Sequence, residues 1–209
     1  MASPFDQSSY QVRFDWGVEG LRRLAASDVV IVVDVIRFGS NVVAAAAVGD
    51  HVVLSDAHAV SANGAAVAIA ASELAHDPVV VAGALRNAAA VARAVMAEQH
   101  ARGGRTSIAV IAAGEKGADG VRFAVEDLLG AGAVIAALSD LGIDHSSPEA
   151  VSTAESFRAL RRAVKHLMTA SGSGRELEGD ERHADVKAAA AIDDLDVVPV
   201  LRDGVFAAL

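Results

Sequence analysis

Short apolar runs alternate along the chain with longer segments in which apolar residues recur at helical spacing. The clearest run, residues 28–33, contains five consecutive Val and Ile residues and is typical of a strand buried on both faces of a sheet. Polar and apolar residues alternate over 11–15, which predicts an edge strand. The remaining strands are predicted at 51–54, 78–82, 107–112, 197–201 and 205–208.

Segments with helical periodicity are predicted between and after these strands, at 17–26, 39–48, 64–74, 87–99, 125–138, 148–168 and 181–191. This alternation predicts an α/β fold, with a mostly parallel sheet flanked by helices on both faces in three layers. Asn87 is expected to cap the helix that begins there. The Ser-Gly-Ser-Gly stretch at 171–174 predicts a flexible break. Because too little chain follows it for an independent core, we expect a single domain over residues 1–209.

Composition excludes several classes of partner and site. The formal net charge of −9 argues against a nucleic-acid or acidic-membrane binder, because affinity for a polyanion comes largely from Lys and Arg. One or two arginines in a pocket can still bind a small anionic substrate against this field. The sequence has no Cys, which excludes disulfides, thiolate nucleophiles and Cys-based zinc sites.

The pattern contains no sign of a membrane or export segment. No apolar run reaches the roughly 18 residues needed to span a bilayer, and the polar residues 1–10 lack an apolar signal core. We therefore expect a cytoplasmic protein. Its Ala-rich helices could pack closely against a second copy, so a homo-oligomer is one expectation.

Ligands of open parallel sheets bind beyond the carboxyl ends of the strands, and the first such loop carries candidate chemistry. Asp34 ends the first central strand, where a carboxylate can bind Mg²⁺, attack phosphorus or simply cap the next helix. The guanidinium of Arg37 can form bidentate bonds to phosphate or sulfonate oxygens, or can lie on the surface. Ser40 and Asn41 begin a helix whose free N–H groups favour anions. Together these residues predict a site for a small anionic molecule.

Two further loops are expected to face the same crevice. Arg86 and Asn87 follow the strand predicted at 78–82, where they could contact an anion or serve as a surface charge and a helix cap. Gly114 begins a flexible loop whose N–H groups could bind an oxyanion. Glu126 and Asp127 begin the helix after that loop, where acidic residues either complement the helix dipole or supply a metal ligand or a general acid or base.

Signatures of several other enzyme classes are absent from the sequence. It contains no P-loop, no His-Glu-x-x-His zinc motif and no Gly-x-Ser-x-Gly nucleophile elbow. The stretch that begins at Asp34 also lacks the second aspartate of the Asp-x-Asp phosphatase signature.

Five segments, taken in order along the chain, carry a resemblance to a known family. They are Arg13-Phe14-Asp15-Trp16-Gly17, then Val32 to Asn41 with its Asp34-Val35-Ile36-Arg37 core, then Ala82 to Ala88, then Ala112 to Lys116 with Glu126-Asp127 and Gly130-Ala131-Gly132, and finally Asp196 to Gly204. Together they resemble the 2-phosphosulfolactate phosphatase family, and the matches run from Arg13 to Phe206. Each is weak alone, but five in the family's order are specific.

The resemblance implies an α/β fold and a Mg²⁺-dependent hydrolase that releases phosphate from 2-phosphosulfolactate to give sulfolactate, as in coenzyme M biosynthesis. Carried over residue by residue, Asp34, Arg37 and Glu126 would be catalytic, and Asp34 and Asp127 would be metal ligands. The contacts to phosphate or substrate would be Arg37, Ser40, Asn41, Asn63, Arg86, Asn87 and Gly114.

The chain departs from the family's pattern in two places. Segments that the family carries before the counterpart of Asn63-Gly64 are missing, and Ser40 and Asn41 stand where the family has signature threonines. A second hypothesis therefore stays open, in which the chain is a catalytically impaired member that binds a small anionic ligand or serves as a subunit of an assembly.

Overall fold

The computed structural model describes residues 3–56, 62–118 and 120–209. The described strands are β1 Val12–Trp16, β2 Val29–Val33, β3 Val52–Val53, β4 Val79–Gly83, β5 Ile108–Ala112, β6 Glu115–Gly117, β7 Gly120–Arg122, β8 Pro199–Arg202 and β9 Val205–Ala208. Seven of them form one sheet in the order β1-β5-β2-β4-β8-β9-β3, while β6 and β7 form a separate hairpin.

The strands β1, β5, β2 and β4 run parallel to one another, and β8, β9 and β3 continue the sheet in antiparallel pairs. All five residues of β2 are buried, as its unbroken β-branched run predicted. The mostly parallel sheet is confirmed, and so is the edge position of the first strand.

The described helices are α1 Gly17–Arg23, α2 Phe38–Ala47, α3 Ala62–Ser72, α4 Ala88–Arg102, α5 Val125–Asp140, α6 Pro148–Leu160, α7 Val164–Ala170, α8 Gly172–Glu176 and α9 His183–Ala189. Short 3-10 turns are found at Pro4–Asp6, Leu85–Asn87 and Arg161–Ala163. In the described ranges, none of the helices is both long and apolar enough to cross a bilayer.

Helices cover both faces of the sheet, as the alternation of elements predicted. Val30 and Val32 of β2 belong to a buried cluster with side chains of α1, α2 and α3. Ile31 and Val33 belong to a second cluster, with side chains of α4, α5, α6 and α7. Side chains of β2 therefore pack into both buried layers, and the residues that follow this strand emerge between them.

The helix predicted over 148–168 is divided into α6 and α7. If α6 continued with helical spacing, Arg161 would lie on its buried face. The charged side chain of Arg161 is more stable in water. The chain instead tightens into the 3-10 turn, which leaves Arg161 exposed and returns Val164 to the core at 2% exposure.

Two predicted loops have regular structure. The segment at 171–174, which was predicted to be flexible, forms the cap and the first residues of α8. Ser171 caps this helix, because its hydroxyl accepts a hydrogen bond from the N–H of Gly174 at 3.1 Å. The loop predicted after Gly114 forms the β6–β7 hairpin. In both cases long-range packing decides the conformation, because neither segment has an apolar period of its own.

Candidate active site

Asp34 lies directly after β2, at the carboxyl edge of the sheet, and only 3% of it is exposed. One carboxylate oxygen, Oδ2, accepts a hydrogen bond from the backbone N–H of Gly64 in the first turn of α3 at 2.9 Å. A Cβ at position 64 would lie 2.7 Å from both Cβ and Oδ2 of Asp34. Glycine therefore allows the helix to approach close enough to bind this carboxylate.

Asp127 joins the ends of two strands. Its Oδ1 accepts a hydrogen bond from the N–H of Val35 at 2.7 Å, and its Oδ2 accepts one from the N–H of Gly114 at 2.9 Å. These N–H groups follow β2 and β5, so the first turn of α5 is fastened to both. Gly130, one turn further along α5, lets the helix come this close, because a Cβ there would lie 2.4 Å from a methyl carbon of Val35.

The electrostatics of the centre are dominated by negative charge. Burial raises the pKa of the Asp127 carboxyl well above its ordinary value, and the charges of Asp34 and Glu126 raise this pKa further, against the two backbone hydrogen bonds. The three acidic residues lie close to one another, because Asp127 follows Glu126 and binds the N–H of Val35, the residue after Asp34. The sequence also allowed Asp127 simply to complement the helix dipole. That interpretation does not account for the two backbone hydrogen bonds that hold Asp127.

Glu126 is held by a residue that the sequence analysis missed. The side chain is 2% exposed, and its Oε1 accepts a hydrogen bond from the hydroxyl of Ser173 in α8. The same hydroxyl lies 2.8 Å from Oε1 of Glu115, which also forms an ion pair with Arg122. Ser173 therefore connects α8 to the β6–β7 hairpin and to α5. No local signal in the sequence marks it, since its partners are 58 and 47 residues away.

Arg37 is partly buried at the start of α2, and its peptide bond to Ile36 is cis. It lies near the segment between α8 and α9, as its effect on Asp180 shows. The pKa of Asp180 is lowered first by hydrogen bonds from Arg182 and in smaller part by the charge of Arg37. Arg37 stands three residues after Asp34, directly before α2.

The predicted contacts beside Arg37 have different environments. The hydroxyl of the buried Ser40 donates a hydrogen bond to the carbonyl oxygen of Val35 at 2.8 Å. Asn41 is exposed on α2, and Asn63 is partly buried next to Gly64. The assignment of these residues to phosphate binding stays a prediction.

Arg86 and Asn87 are engaged within the protein. The guanidinium of Arg86 forms two hydrogen bonds to the carboxylate of Asp194, at 3.0 and 2.7 Å. Asn87 is fully buried; its Oδ1 accepts from the N–H of Ala84, and its amide nitrogen donates to the carbonyl oxygens of Ala82 and Val197. The expected side-chain cap of α4 by Asn87 is therefore wrong, since the side chain turns back to the strand end and to the C-terminal segment. A role for either residue in phosphate binding is untested by these contacts and stays a prediction.

A cleft of about 920 Å³ opens beside the centre, between α1, α3 and the β6–β7 hairpin. Asn63 and Glu115, which neighbour the centre, line it together with Lys116 and two aromatic rings. The rings of Trp16 and Phe123 pack with their centroids 5.3 Å apart. Residue patterns did not reveal this cleft, because its walls come from distant parts of the chain.

The donor chemistry of the centre fits the Mg²⁺ that the resemblance implies. Asp34 and Asp127 offer carboxylate oxygens, the hard donors that Mg²⁺ prefers. In the described part of the chain, no group of three or more His, Cys, Asp or Glu side chains is arranged to hold a metal ion. Mg²⁺ is commonly held by one or two carboxylates, with waters and substrate phosphate completing its coordination. The residues thus suit a cation shared with a bound phosphate.

Of the residues predicted from the sequence, the structure brings together Asp34, Glu126, Asp127 and the backbone of Gly114. The side chains of Arg86 and Asn87 are directed to the C-terminal segment. These placements are geometric, and the chemical role of each residue stays a prediction.

A protein-family model described as 2-phosphosulpholactate phosphatase matches residues 51–204. The match includes Gly114, Glu126 and Asp127 and begins after Asp34 and Arg37. No curated protein matches the chain. Since the family model matches well over half of the 209 residues, the chain belongs to the 2-phosphosulfolactate phosphatase family.

Proposed function

We propose that this chain is a Mg²⁺-dependent phosphomonoester hydrolase that converts 2-phosphosulfolactate to sulfolactate and phosphate. Membership of a phosphatase family supports the reaction class. The observation that carries the proposal is the position of Asp127, which binds the backbone after both β2 and β5 and lies beside Asp34. These acidic groups are fixed at the carboxyl edge of a parallel sheet, which is where proteins of this architecture bind their ligands.

Asp34 is the proposed reacting group. Its carboxylate is buried and held by the N–H of Gly64, so it is oriented before any substrate arrives. Two roles are compatible with this position: attack on phosphorus to form an aspartyl phosphate, or orientation of the water that attacks. Borohydride reduction of acid-quenched enzyme separates the two roles, because only the first forms an acyl phosphate at Asp34, which borohydride converts to homoserine.

Electrostatics support a cation at this centre. A phosphate monoester brings about two negative charges at neutral pH to a place where the acidic side chains of Asp34 and Glu126 are already buried. When bound, Mg²⁺ would offset this repulsion and stabilise charge on the phosphate oxygens. Arg37, three residues after Asp34, is proposed to hold the phosphate or the sulfonate of the substrate.

The test is phosphate release from 2-phosphosulfolactate and from a panel of small phosphate esters, with Mg²⁺ and with EDTA. We expect release that requires Mg²⁺ and falls by at least a thousandfold in Asp34→Asn, with an unchanged circular dichroism spectrum. Asp50→Asn, at an exposed position, is the matched control and should keep full activity. Unchanged turnover in Asp34→Asn would remove Asp34 from the mechanism.

One set of contacts favours the second candidate, a member that binds an anionic ligand without turnover. The side chains of Ser40, Arg86 and Asn87 all have partners within the protein, so fewer groups face a substrate than the resemblance implies. Under this candidate, 2-phosphosulfolactate raises the melting temperature while no phosphate is released from any ester.

A further inference from the structure

A second concave site lies where the 3-10 turn Arg161–Ala163, α7 and the residues after α9 meet. Its volume is about 570 Å³, within the range of small-molecule sites. The apolar part of its lining is Val164, Ala190, Ala191 and Ile192. It shares no lining residue with the cleft beside Asp34.

Four cationic side chains line this pocket, and no carboxylate lines it in the described part of the chain. They are Arg161, Arg162, Lys165 and Lys187. None of the four forms an ion pair among the described residues. This concentration of positive charge stands out in a chain with a formal net charge of −9.

Three acidic groups in the same part of the chain pair with other arginines. Asp140 and Glu155 both pair with Arg158, and Asp194 pairs with Arg86. The guanidinium of Arg161 instead lies 6.0 Å above the ring of Phe157, which holds it near the pocket by a cation–π contact. The described lining of the pocket therefore combines four positive side chains with no negative one.

We propose that this pocket binds a small polyanion carrying two or more phosphate groups. A compact anion with several phosphate groups offers more charge and more acceptor oxygens to the four cations than a single phosphate or carboxylate does. The volume limits the ligand to a small molecule, and the negative charge of the chain as a whole opposes nucleic acid. This site is separate from the phosphatase proposal, and its occupancy does not depend on turnover.

Calorimetric titration with inorganic tripolyphosphate at 0.15 M salt, without added Mg²⁺, tests this site. At that ionic strength, long-range attraction between exposed charges is largely screened. We expect the wild-type protein and Arg37→Ala to bind equally, because Arg37 lies at the other site. The double variant Lys165→Gln/Lys187→Gln should bind at least tenfold more weakly.

The matched control is Arg22→Gln/Arg202→Gln, which changes the net charge equally at exposed positions outside the pocket lining. This control should retain wild-type affinity. Absence of binding to the wild-type protein would overturn the proposal. Equal weakening in the control pair would also overturn the proposal, because the affinity would then depend on general charge. Loss of binding in Arg37→Ala alone would overturn it by assigning the affinity to the other site.

Discussion

Both carboxylate oxygens of Asp127 accept hydrogen bonds from backbone N–H groups, so this one side chain joins the first turn of α5 to the ends of β2 and β5. Its position in the first turn of α5 was predicted, and so was its closeness to Glu126. The donors are the N–H groups of Val35 and Gly114, which lie 92 and 13 residues away. Residue type and spacing could nominate Asp127, but only the folded sheet identifies what it binds.

Ser173 allows a test of how Glu126 is held. Ser173→Ala is expected to lower kcat for phosphate release about tenfold with little change in KM. Glu126 would lose the hydroxyl that orients it, whereas the proposed anion contacts would remain. Amide hydrogen exchange across α8 should also become faster, because Ser173 connects this short helix to its neighbours.

Two further variants make the test specific to the hydroxyl. Ser173→Thr keeps a hydroxyl and should recover part of the lost kcat. Ser152→Ala, on the exposed side of α6, removes a hydroxyl that bonds only the carbonyl oxygen of Pro148 and should behave as wild type. A raised KM at unchanged kcat in Ser173→Ala would contradict the positioning role.

At the scale of elements, the long apolar or periodic segments were predictable and the short ones were not. The unbroken run of Val and Ile in β2 is stable only in a strand that is buried on both faces. The β6–β7 hairpin has no such pattern, and its conformation depends on packing against the end of β1. A Cβ at Gly17 would lie 2.3 Å from a methyl carbon of Val121, so the hairpin fits there only because position 17 lacks a side chain.

The 3-10 turn before α4 is joined to the C-terminal segment by two side chains that were predicted to bind phosphate. Asn87 makes three hydrogen bonds, including one to the carbonyl oxygen of Val197. Asn87→Ala would leave three backbone groups, two of them buried, without these partners and should lower the free energy of unfolding by about 3 kcal/mol. Urea titration followed by circular dichroism measures this loss.

The control for this prediction is Asn41→Ala, since Asn41 is exposed on α2 and the change should cost less than about 0.5 kcal/mol. The affinity of Asn87→Ala for phosphate, measured under conditions where it is folded, distinguishes a structural role from a ligand contact. Wild-type stability together with lost phosphate affinity would contradict the structural reading.

At the scale of the whole molecule, the class and layering of the fold followed from the alternation of strands and helices, but the strand order did not. In the sheet, β8 and β9 lie between β4 and β3. No local pattern in Pro199–Arg202 or Val205–Ala208 specifies the strands beside which they lie. Their pairing depends on which strand edge remains free after the parallel strands have assembled. The same holds for the centre at Asp34, whose parts come from several distant loops.

This strand order leads to a prediction about cooperativity. Because the last strands of the chain are inserted between strands formed by its first half, no single cut divides the sheet into two independent units. We therefore expect one two-state transition in scanning calorimetry, with the calorimetric and van't Hoff enthalpies equal at on the order of 150 kcal/mol. Asn87→Ala should move this transition to lower temperature by roughly 6–12 °C without splitting it, since the contact that it removes connects parts of the same unit. Two separate transitions, with only one of them moved by Asn87→Ala, would show that the C-terminal segment folds apart from the sheet and would contradict the single domain predicted from the sequence.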